Sequence, residues 1–250
     1  MDNSGWHKRF LVQAKWTEQL RRFVYQQIGI TAQSLVLEVG CGTGVITSEL
    51  KNYIHQQSIG IDIDFHRVKE AVQQDEYPLF SCADAYQLPF PSGSMDFVVS
   101  HFLFLWLKNP ASALKEMLRV LKPGGLVVAL AEPDHLARID NPKELWELGA
   151  IQTQALIKQG ANPMMGRMLP EIFSKAGVSE IQYGISGFQA SPEKLPDWFE
   201  SEWVTLQNDL QGLIPIEELK KIKEFDIHAR SIGSRVLWVP TFYSYGKKTF

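Results

Sequence analysis

The chain has 250 residues, of which 45% are apolar and 21% are charged, enough to bury a core in one domain or in a domain with a large insertion. This composition excludes a disordered chain, a collagen and a coiled coil. The longest apolar runs, 102–107 and 126–131, are far shorter than the roughly 20 residues of a membrane-spanning helix. The 25 Lys and Arg residues nearly balance 28 Asp and Glu, so no strong positive field favours nucleic acid as a partner.

The sequence also sets expectations for where the protein works. Its first residues lack the apolar stretch of a secretory signal, so we predict a cytoplasmic protein with no membrane contact. The two cysteines, Cys41 and Cys82, form no CxxC pair, so neither a disulfide nor a metal site is expected. The sequence leaves the oligomeric state open.

The predicted elements begin with an N-terminal helical segment, residues 1–30. Its apolar positions between residues 7 and 28 are spaced largely by three and four, which is typical of an amphipathic helix. From residue 34 the pattern changes to short apolar runs bounded by Gly, Asp and Pro, which predict strands buried on both faces. Five strands are expected at 35–39, 58–61, 79–82, 97–100 and 126–131, with helices between them at 45–53, 65–73 and 111–121.

The second half mixes helices with two more strands. Helices are expected at 142–160, 169–176, 192–210 and 215–231, and strands at 179–185 and 235–245. This order predicts an α/β fold with a doubly wound, mostly parallel, seven-stranded Rossmann-like sheet in a domain of residues 31–250. Helical insertions at about 133–168 and 190–232 are expected to form a lid, and residues 1–30 to cover the same site.

A glycine-rich turn follows the first predicted strand. Gly40, Gly42 and Gly44 remove side chains where the backbone must turn sharply and approach a ligand, and the helix that follows presents its positive end. Val45 stands where the dinucleotide pattern GxGxxG has its third glycine, so a nicotinamide site fits poorly. No GKS or GKT follows, which argues against a P-loop.

Two acidic residues stand at the tips of the next strands. Asp62 can accept hydrogen bonds from both hydroxyls of a ribose. Asp84 can accept from the amine of an adenine, with the backbone amide of Ala85 beside it. Three strand tips therefore predict one adenosine-sized ligand. The other interpretation of Glu38, Asp62 and Asp84 is a helix cap or a surface acid.

Five motifs stand in an order and spacing that resemble a known family. They are LEVGCGTG at 37–44, GIDI at 60–63, ADA with LPF at 83–90, MDFVVS at 95–100 and RVLKPGG at 119–125. Over about residues 30–132 the chain resembles class I S-adenosylmethionine-dependent methyltransferases. It is most similar to the small-molecule group related to the ubiquinone and menaquinone C-methyltransferases.

The resemblance implies S-adenosyl-L-methionine as the cofactor and a small, partly hydrophobic methyl acceptor, with the methylated atom left open among O, N and C. It assigns the ribose to Asp62, one face of the adenine to Ile63, and the adenine edge to Asp84 with Ala85. It assigns the methionine portion of the cofactor to Glu38, to the glycine loop and to two residues after the fourth strand. The loop residues are Gly40, Cys41, Gly42, Thr43 and Gly44, and the two later residues are Ser100 and His101.

Methyl transfer from a sulfonium is an in-line displacement, for which a protein supplies alignment and exclusion of water. A hydroxyl or carbon acceptor also needs a general base. His101 and His135 are the candidate catalytic residues, with Glu132 and Asp134 at the same edge, and each histidine can instead be an ordinary packing residue. Arg167 can pair with a substrate carboxylate or lie on the surface.

Aromatic and methionine residues concentrate outside the predicted sheet, where they can close over an apolar acceptor. They are Phe102, Phe104, Trp106, Trp146, Met164, Met165, Met168, Trp198, Phe199 and Trp203. Three other functions stay open: a nicotinamide-dependent oxidoreductase, a transferase that moves an aminopropyl group, and a nonenzymatic S-adenosylmethionine-binding regulator. The discriminating feature is the acceptor cavity, which an enzyme needs and a regulator can fill with side chains.

Overall fold

A computed structural model describes residues 4–55, 58–189 and 199–249. The described helices are α1 (Ser4–Ile28), α2 (Val45–Leu50), α3 (Phe65–Gln74), α4 (Pro110–Val120), α5 (Trp146–Lys158), α6 (Met165–Lys175), α7 (Phe199–Asp209) and α8 (Ile216–Ser231). The described strands are β1 (Val36–Val39), β2 (Ile59–Asp62), β3 (Leu79–Cys82), β4 (Met95–His101), β5 (Leu121–Pro133), β6 (Ile139–Asn141), β7 (Ser179–Gln189) and β8 (Val236–Lys247).

The sheet confirms the predicted α/β fold. Its strands pair in the order β3-β2-β1-β4-β5-β8, and β8 also pairs with β6 and β7. The first five strands are mutually parallel, with Leu37 of β1 opposite Ile59 of β2 and Val98 of β4. β8 runs antiparallel to its three neighbours. The carboxyl ends of β1, β2, β4 and β5 therefore lie along one edge, where the predicted site residues follow.

The prediction of seven strands was wrong, because eight strands pair within the described residues. The additional strand is β6, only three residues long, which lies in the segment predicted to be a helical insertion. Trp238 of β8 pairs with both Ile139 of β6 and Gln189 of β7, so these two strands occupy opposite edges of β8. β5 and β6 therefore pair with the same edge of β8, and β6 lies beyond the carboxyl end of β5.

Two apolar layers enclose the sheet because successive strand residues point to opposite faces. Val36, Val99 and Val128 pack with α1 and α2 on one face. On the other face, the side chains of Leu37, Val98 and their neighbours pack with α4 and α6. Strands buried on both faces explain the nearly continuous apolar runs in the sequence.

A third apolar cluster joins the helical insertions. It is formed by side chains of α5, α7 and α8, among them Leu148, Phe199, Trp203 and Leu219. Residues 190–198, which include Trp198 and the start of the predicted helix 192–210, lie outside the described residues. No helix in the described ranges is both long and apolar enough to cross a membrane.

Candidate active site

The glycine loop leaves β1 and turns back against β2. The backbone N–H groups of Gly40 and Cys41 both donate to the carbonyl of Ile61, at 2.8 and 2.9 Å. Gly40 and Gly42 have φ angles of 79° and 55°, in the left-handed region that favours glycine. A Cβ atom on Gly42 would lie 2.6 Å from the Phe10 ring, so α1 packs directly on the bare backbone of the loop.

Asp62 ends β2 beside this loop and is 8% exposed. Its Oδ2 accepts from the N–H of Gly42 at 2.8 Å, and its Oδ1 accepts from the N–H of Asp64 at 2.9 Å. Each oxygen retains capacity for a further donor, such as a sugar hydroxyl. The neighbouring Ile63 is 70% exposed and offers an apolar surface for a flat ring. The geometry therefore suits the ribose and adenine positions predicted for these residues.

Glu38 lies beneath the loop, buried, and accepts a hydrogen bond from the Thr47 hydroxyl. Burial raises the pKa of Glu38 to about 8, against the lowering effects of that hydrogen bond and of the Arg21 charge. The carboxyl is therefore largely neutral at neutral pH. A cationic group placed beside it would favour its ionised form.

One cavity of about 650 Å³ collects most of the predicted site residues. Its volume falls in the range of small-molecule sites. The predicted residues that line it are Glu38, Gly40, Cys41, Gly42, Asp62, Ile63, His101 and His135. The cavity continues from the glycine loop past both histidines to α5, α7 and α8.

The other predicted residues lie outside the cavity wall: Thr43, Gly44, Asp84, Ala85 and Ser100. The Thr43 hydroxyl lies 2.9 Å from Nδ1 of His7 on α1. Asp84 accepts from the backbone N–H of Tyr86 at 2.9 Å, in a local turn. Ser100 is fully buried in β4.

Cys41 and Cys82 are both free thiols. Burial raises the pKa of the Cys41 thiol well above its ordinary value, so this cysteine is no nucleophile at neutral pH. In the described ranges, no three His, Cys, Asp or Glu side chains are grouped to hold a metal ion.

His101 ends β4 and is held by α1. Its Nε2 lies 2.8 Å from the Thr17 hydroxyl, which also accepts from Nη1 of Arg21 at 2.6 Å. We assign the hydroxyl hydrogen to Nε2, its nearest acceptor, which leaves the imidazole proton on Nδ1. Burial, followed by the Arg21 charge, lowers the pKa of His101 well below its ordinary value. The imidazole is neutral, and the nitrogen that bears no proton is already engaged.

His135 follows β5 and lines the same cavity. Its Nδ1 atom is buried and has no hydrogen-bond partner in the described part of the chain. Burial, with the Arg138 charge, lowers its pKa to about 4. His135 is therefore neutral at neutral pH and lines the cavity.

Two acids that the sequence offered as bases have structural partners instead. The Glu132 carboxylate accepts from the backbone N–H groups of Leu103, Phe104 and Leu105, at 2.9, 2.8 and 3.1 Å. Glu132 thereby fixes the loop that follows His101. Asp134 forms a bidentate ion pair with Arg167. Arg167 therefore contacts a carboxylate of the protein itself, in place of the substrate carboxylate considered from the sequence.

Sequence reasoning missed two groups of cavity residues. Trp6, Phe10, Trp16 and Thr17 reach the cavity from α1, while Arg138, Glu202, Arg230 and Arg235 reach it from the insertions and from the segment before β8. The recurrence of residues 6, 10, 13 and 17 on one helical face was an available signal for the first group. Of the predicted aromatic and methionine residues, Phe102, Trp106, Phe199 and Trp203 line the cavity.

The pH dependence of stability follows from Glu38. Because its pKa is about 8 in the folded protein against an ordinary 4.5, the folded state binds more protons between these values. The free energy of unfolding should therefore fall as pH rises towards 8, helped by Glu132 and Glu202, whose pKa burial raises to about 7. The lowered pKa values of His101 and His135 act in the opposite direction, but only below about 6.5.

Urea unfolding between pH 6.5 and 8 measures the effect of the carboxyl groups on the free energy of unfolding, because the histidines act only below about pH 6.5. We expect Glu38→Gln to reduce the fall in unfolding free energy over this interval. Glu76→Gln, at an exposed position, serves as the matched control and should leave it unchanged. Identical pH slopes for wild type and Glu38→Gln would contradict the assignment.

Fold and site together define an α/β protein with a cavity beside a glycine loop at the carboxyl ends of its parallel strands. Residues 37–129 match the family described as a methyltransferase domain. An uncharacterized methyltransferase of Schizosaccharomyces pombe is 35% identical over 147 residues, which cover 54% of this chain and 52% of that protein. A demethylmenaquinone methyltransferase of Staphylococcus aureus is 36% identical over 115 residues, covering 44% of this chain and 48% of that protein.

Among solved structures, phosphoethanolamine N-methyltransferase 2 of Haemonchus contortus has a TM-score of 0.59 at 15% identity. The likeness covers 93% of this chain and 53% of that one, and it shows the fold alone. The chain spans about half the length of the two curated relatives above. These matches confirm the resemblance to class I S-adenosylmethionine-dependent methyltransferases that the five motifs indicated.

Proposed function

We propose that the protein transfers a methyl group from S-adenosylmethionine to a small, partly hydrophobic acceptor. The observation that carries this proposal is the continuity of the cavity. One end is lined by the glycine loop, Glu38 and Asp62, and the same cavity extends past His101 and His135. Cofactor and acceptor can therefore meet within one enclosed space.

The residues at the glycine-loop end fit the cofactor. Asp62 has acceptor capacity for the ribose hydroxyls, Ile63 has an exposed face for the adenine, and buried Glu38 suits the cationic amino group of the methionine portion. The Haemonchus contortus structure was solved with S-adenosylhomocysteine, which supports the same cofactor here. Asp84, Ala85 and Ser100 lie outside the cavity wall, and their cofactor contacts stay predictions.

When bound, the cofactor supplies an electrophilic methyl group on a positively charged sulfur. Asp62, Ile63 and Glu38 would hold the cofactor, this methyl group would pass to the acceptor atom, and the electron pair of the broken S–C bond would stay with sulfur. An O–H or C–H acceptor must also release its proton, and the neutral imidazole of His135, which lines the cavity, is the candidate base. His101 holds α1 through Thr17, and α1 excludes water from the glycine loop.

The cavity also bears on the other candidate functions. A nonenzymatic regulator has no need for space beyond the cofactor, whereas here the cavity continues to α7 and α8. A nicotinamide site lacks its third glycine, because α2 begins at Val45. An aminopropyl transferase uses the same cofactor pocket, and the identity of the product separates it from a methyltransferase. The cytoplasmic location and the absence of a nucleic-acid partner stay predictions.

Calorimetric titration with S-adenosylhomocysteine, with NADH as the matched control, tests the cofactor assignment. We expect binding of S-adenosylhomocysteine alone. Incubation with S-adenosylmethionine and a screen of acceptors, read by mass spectrometry, should then give products heavier by one methyl group. Binding of NADH, or of neither compound, would overturn the proposal.

Asp62→Ala should weaken the binding of S-adenosylhomocysteine by about 1 to 3 kcal/mol, because hydrogen bonds to a charged acceptor are lost. Calorimetry gives the affinity, and thermal unfolding checks that the variant folds. Asp64→Ala is the control, since Asp64 caps α3 through the N–H groups of His66 and Arg67 and lies outside the cavity wall. An unchanged affinity in Asp62→Ala would refute the ribose assignment.

A further inference from the structure

The cavity has a second polar region, at the end formed by the insertions. Five side chains there form one continuous ion-paired chain, in the order Arg138, Asp140, Arg235, Asp226, Arg230, which we call the arginine cluster. Arg235 lies 2.8 Å from Asp140 and 2.6 Å from Asp226, and Arg230 lies 3.3 Å from Asp226. None of the five side chains is more than 10% exposed.

The arginine cluster carries one positive charge in excess, since three arginines alternate with two aspartates. Arg230, at one end, is 5% exposed and lines the cavity. Among the described residues its guanidinium donates a single hydrogen bond, from Nε to Asp226. Its two Nη groups therefore donate to no described residue and are available to a ligand in the cavity. The Arg230 guanidinium also lies 5.3 Å from the centre of the Phe199 ring, which holds it at this wall.

Glu202 of α7 lines the same region and has no ion pair or hydrogen bond to any described residue. Three guanidinium groups near Glu202 lower its pKa: Arg9 on α1, Arg138 before β6 and Arg230 on α8. The negative charge of Asp209 raises that pKa. Burial raises its pKa to about 7 despite these arginines. Glu202 can therefore carry a proton at neutral pH and act as a donor.

We propose that Arg230, Arg138 and Glu202 form a subsite for a carboxylate group of the methyl acceptor, an inference that rests on the proposed function. The unused Nη groups of Arg230 supply donors for the carboxylate oxygens, and protonated Glu202 supplies another. The single excess charge of the arginine cluster matches a monoanion. A cationic headgroup would meet three arginines, and a phosphate dianion would exceed the available positive charge.

The position of the subsite fits the course of the cavity. β6 continues the row of β5 beyond its carboxyl end, so Arg138 and Asp140 lie further from the glycine loop than His135 does. The wall of the same cavity includes the apolar side chains of Phe102, Trp106 and Leu156. The acceptor is therefore an amphipathic carboxylic acid whose carboxylate binds at the arginine cluster and whose reacting atom lies by His135.

Three probes of one shape test this subsite: 3-phenylpropionate, 3-phenylpropionamide and 3-phenylpropylamine. Each is titrated calorimetrically into the protein, with and without S-adenosylhomocysteine. We expect the carboxylate to bind at least about tenfold more tightly than the amide, as for one charge-assisted hydrogen bond, and the amine to bind most weakly. Preference for the amine, equal affinities, or no binding of any probe would overturn the proposal.

Arg230→Met should weaken binding of the carboxylate about 10- to 100-fold and leave the amide nearly unchanged. This variant should fold, because Asp226 keeps its ion pair with Arg235. Arg230→Lys keeps the charge and should recover part of the affinity. An unchanged carboxylate affinity in Arg230→Met would make the arginine cluster an internal brace only.

Glu202→Gln supplies a second readout. In the wild type, carboxylate binding should weaken as pH rises through about 7, because ionised Glu202 repels the ligand. In Glu202→Gln this pH dependence should disappear, whereas in Glu200→Gln, whose carboxylate pairs with Lys223 on the protein surface, it should persist. The proposed function and the subsite are tested by different measurements. If the wild type does not bind S-adenosylhomocysteine, the proposed function is refuted. The preference for the carboxylate probe is still measured on the protein without cofactor.

Discussion

His135→Ala should lower kcat by about 10²- to 10⁴-fold while the affinity for S-adenosylhomocysteine stays within about twofold, the range expected for loss of a general base. The reason is the position of the neutral imidazole of His135 in the wall of the cavity that the glycine loop also lines. Its pKa of about 4 keeps it unprotonated at neutral pH, so it is always available to accept a proton from the acceptor.

The measurement compares kcat and cofactor affinity in the same preparations, with an acceptor found in the screen. His66→Ala, at an exposed position on α3, is the control and should match wild type. His101→Ala should behave differently, because it removes the contact with Thr17 and so loosens α1 as well, lowering both rate and affinity. Equal losses of rate and affinity in His135→Ala would make it a binding residue instead of the base.

Glu132→Ala should destabilise the protein by about 3 to 5 kcal/mol, since three backbone N–H groups lose their acceptor in a buried site. A loss of this size is a large part of the total stability of a typical domain. In thermal unfolding it corresponds to a decrease in Tm of roughly 6–20 °C for a chain of this length. The loop after His101 should become the first region to exchange its amide hydrogens.

Glu132→Gln removes the negative charge of the side chain but keeps an oxygen that can accept hydrogen bonds. Oε1 accepts from Leu103 and Phe104, and Oε2 accepts from Leu105, so a glutamine can keep two of the three contacts. Its loss of stability should therefore lie between those of wild type and Glu132→Ala. If both variants are as stable as wild type, the loop is held by other contacts.

The first half of the fold and the glycine-loop end of the cavity were predictable because their determinants are local. Glycine at residues 40 and 42 is required by left-handed backbone angles, and Asp62 reaches the loop from the next strand by a contact that parallel pairing dictates. Asp84 lies outside the cavity wall, and its carboxylate closes its own turn, a local alternative that acidic side chains often adopt.

The acceptor end could not be predicted in the same way. Arg235 contacts Asp140 from 95 residues away, and Arg9 contacts Asp209 from 200 residues away, so no short pattern records these pairs. The charged residues Glu202, Asp226 and Arg230 stand on the inner faces of α7 and α8 and interrupt their apolar periodicity. The sequence pattern therefore does not show which faces of these helices point inward. β6 is too short for a strand pattern and exists because β8 extends beyond β5.

The close fit of α1 over the glycine loop has a kinetic consequence. Phe10 rests on Gly42, His7 contacts Thr43, and Thr17 contacts His101, so a molecule bound on the loop lies beneath the helix. Because α1 narrows the access to the loop, we expect entry and departure of such a molecule to be slower than free diffusion. Departure of the spent cofactor, instead of bond making, would then limit turnover, as in other enzymes whose sites close over their ligands.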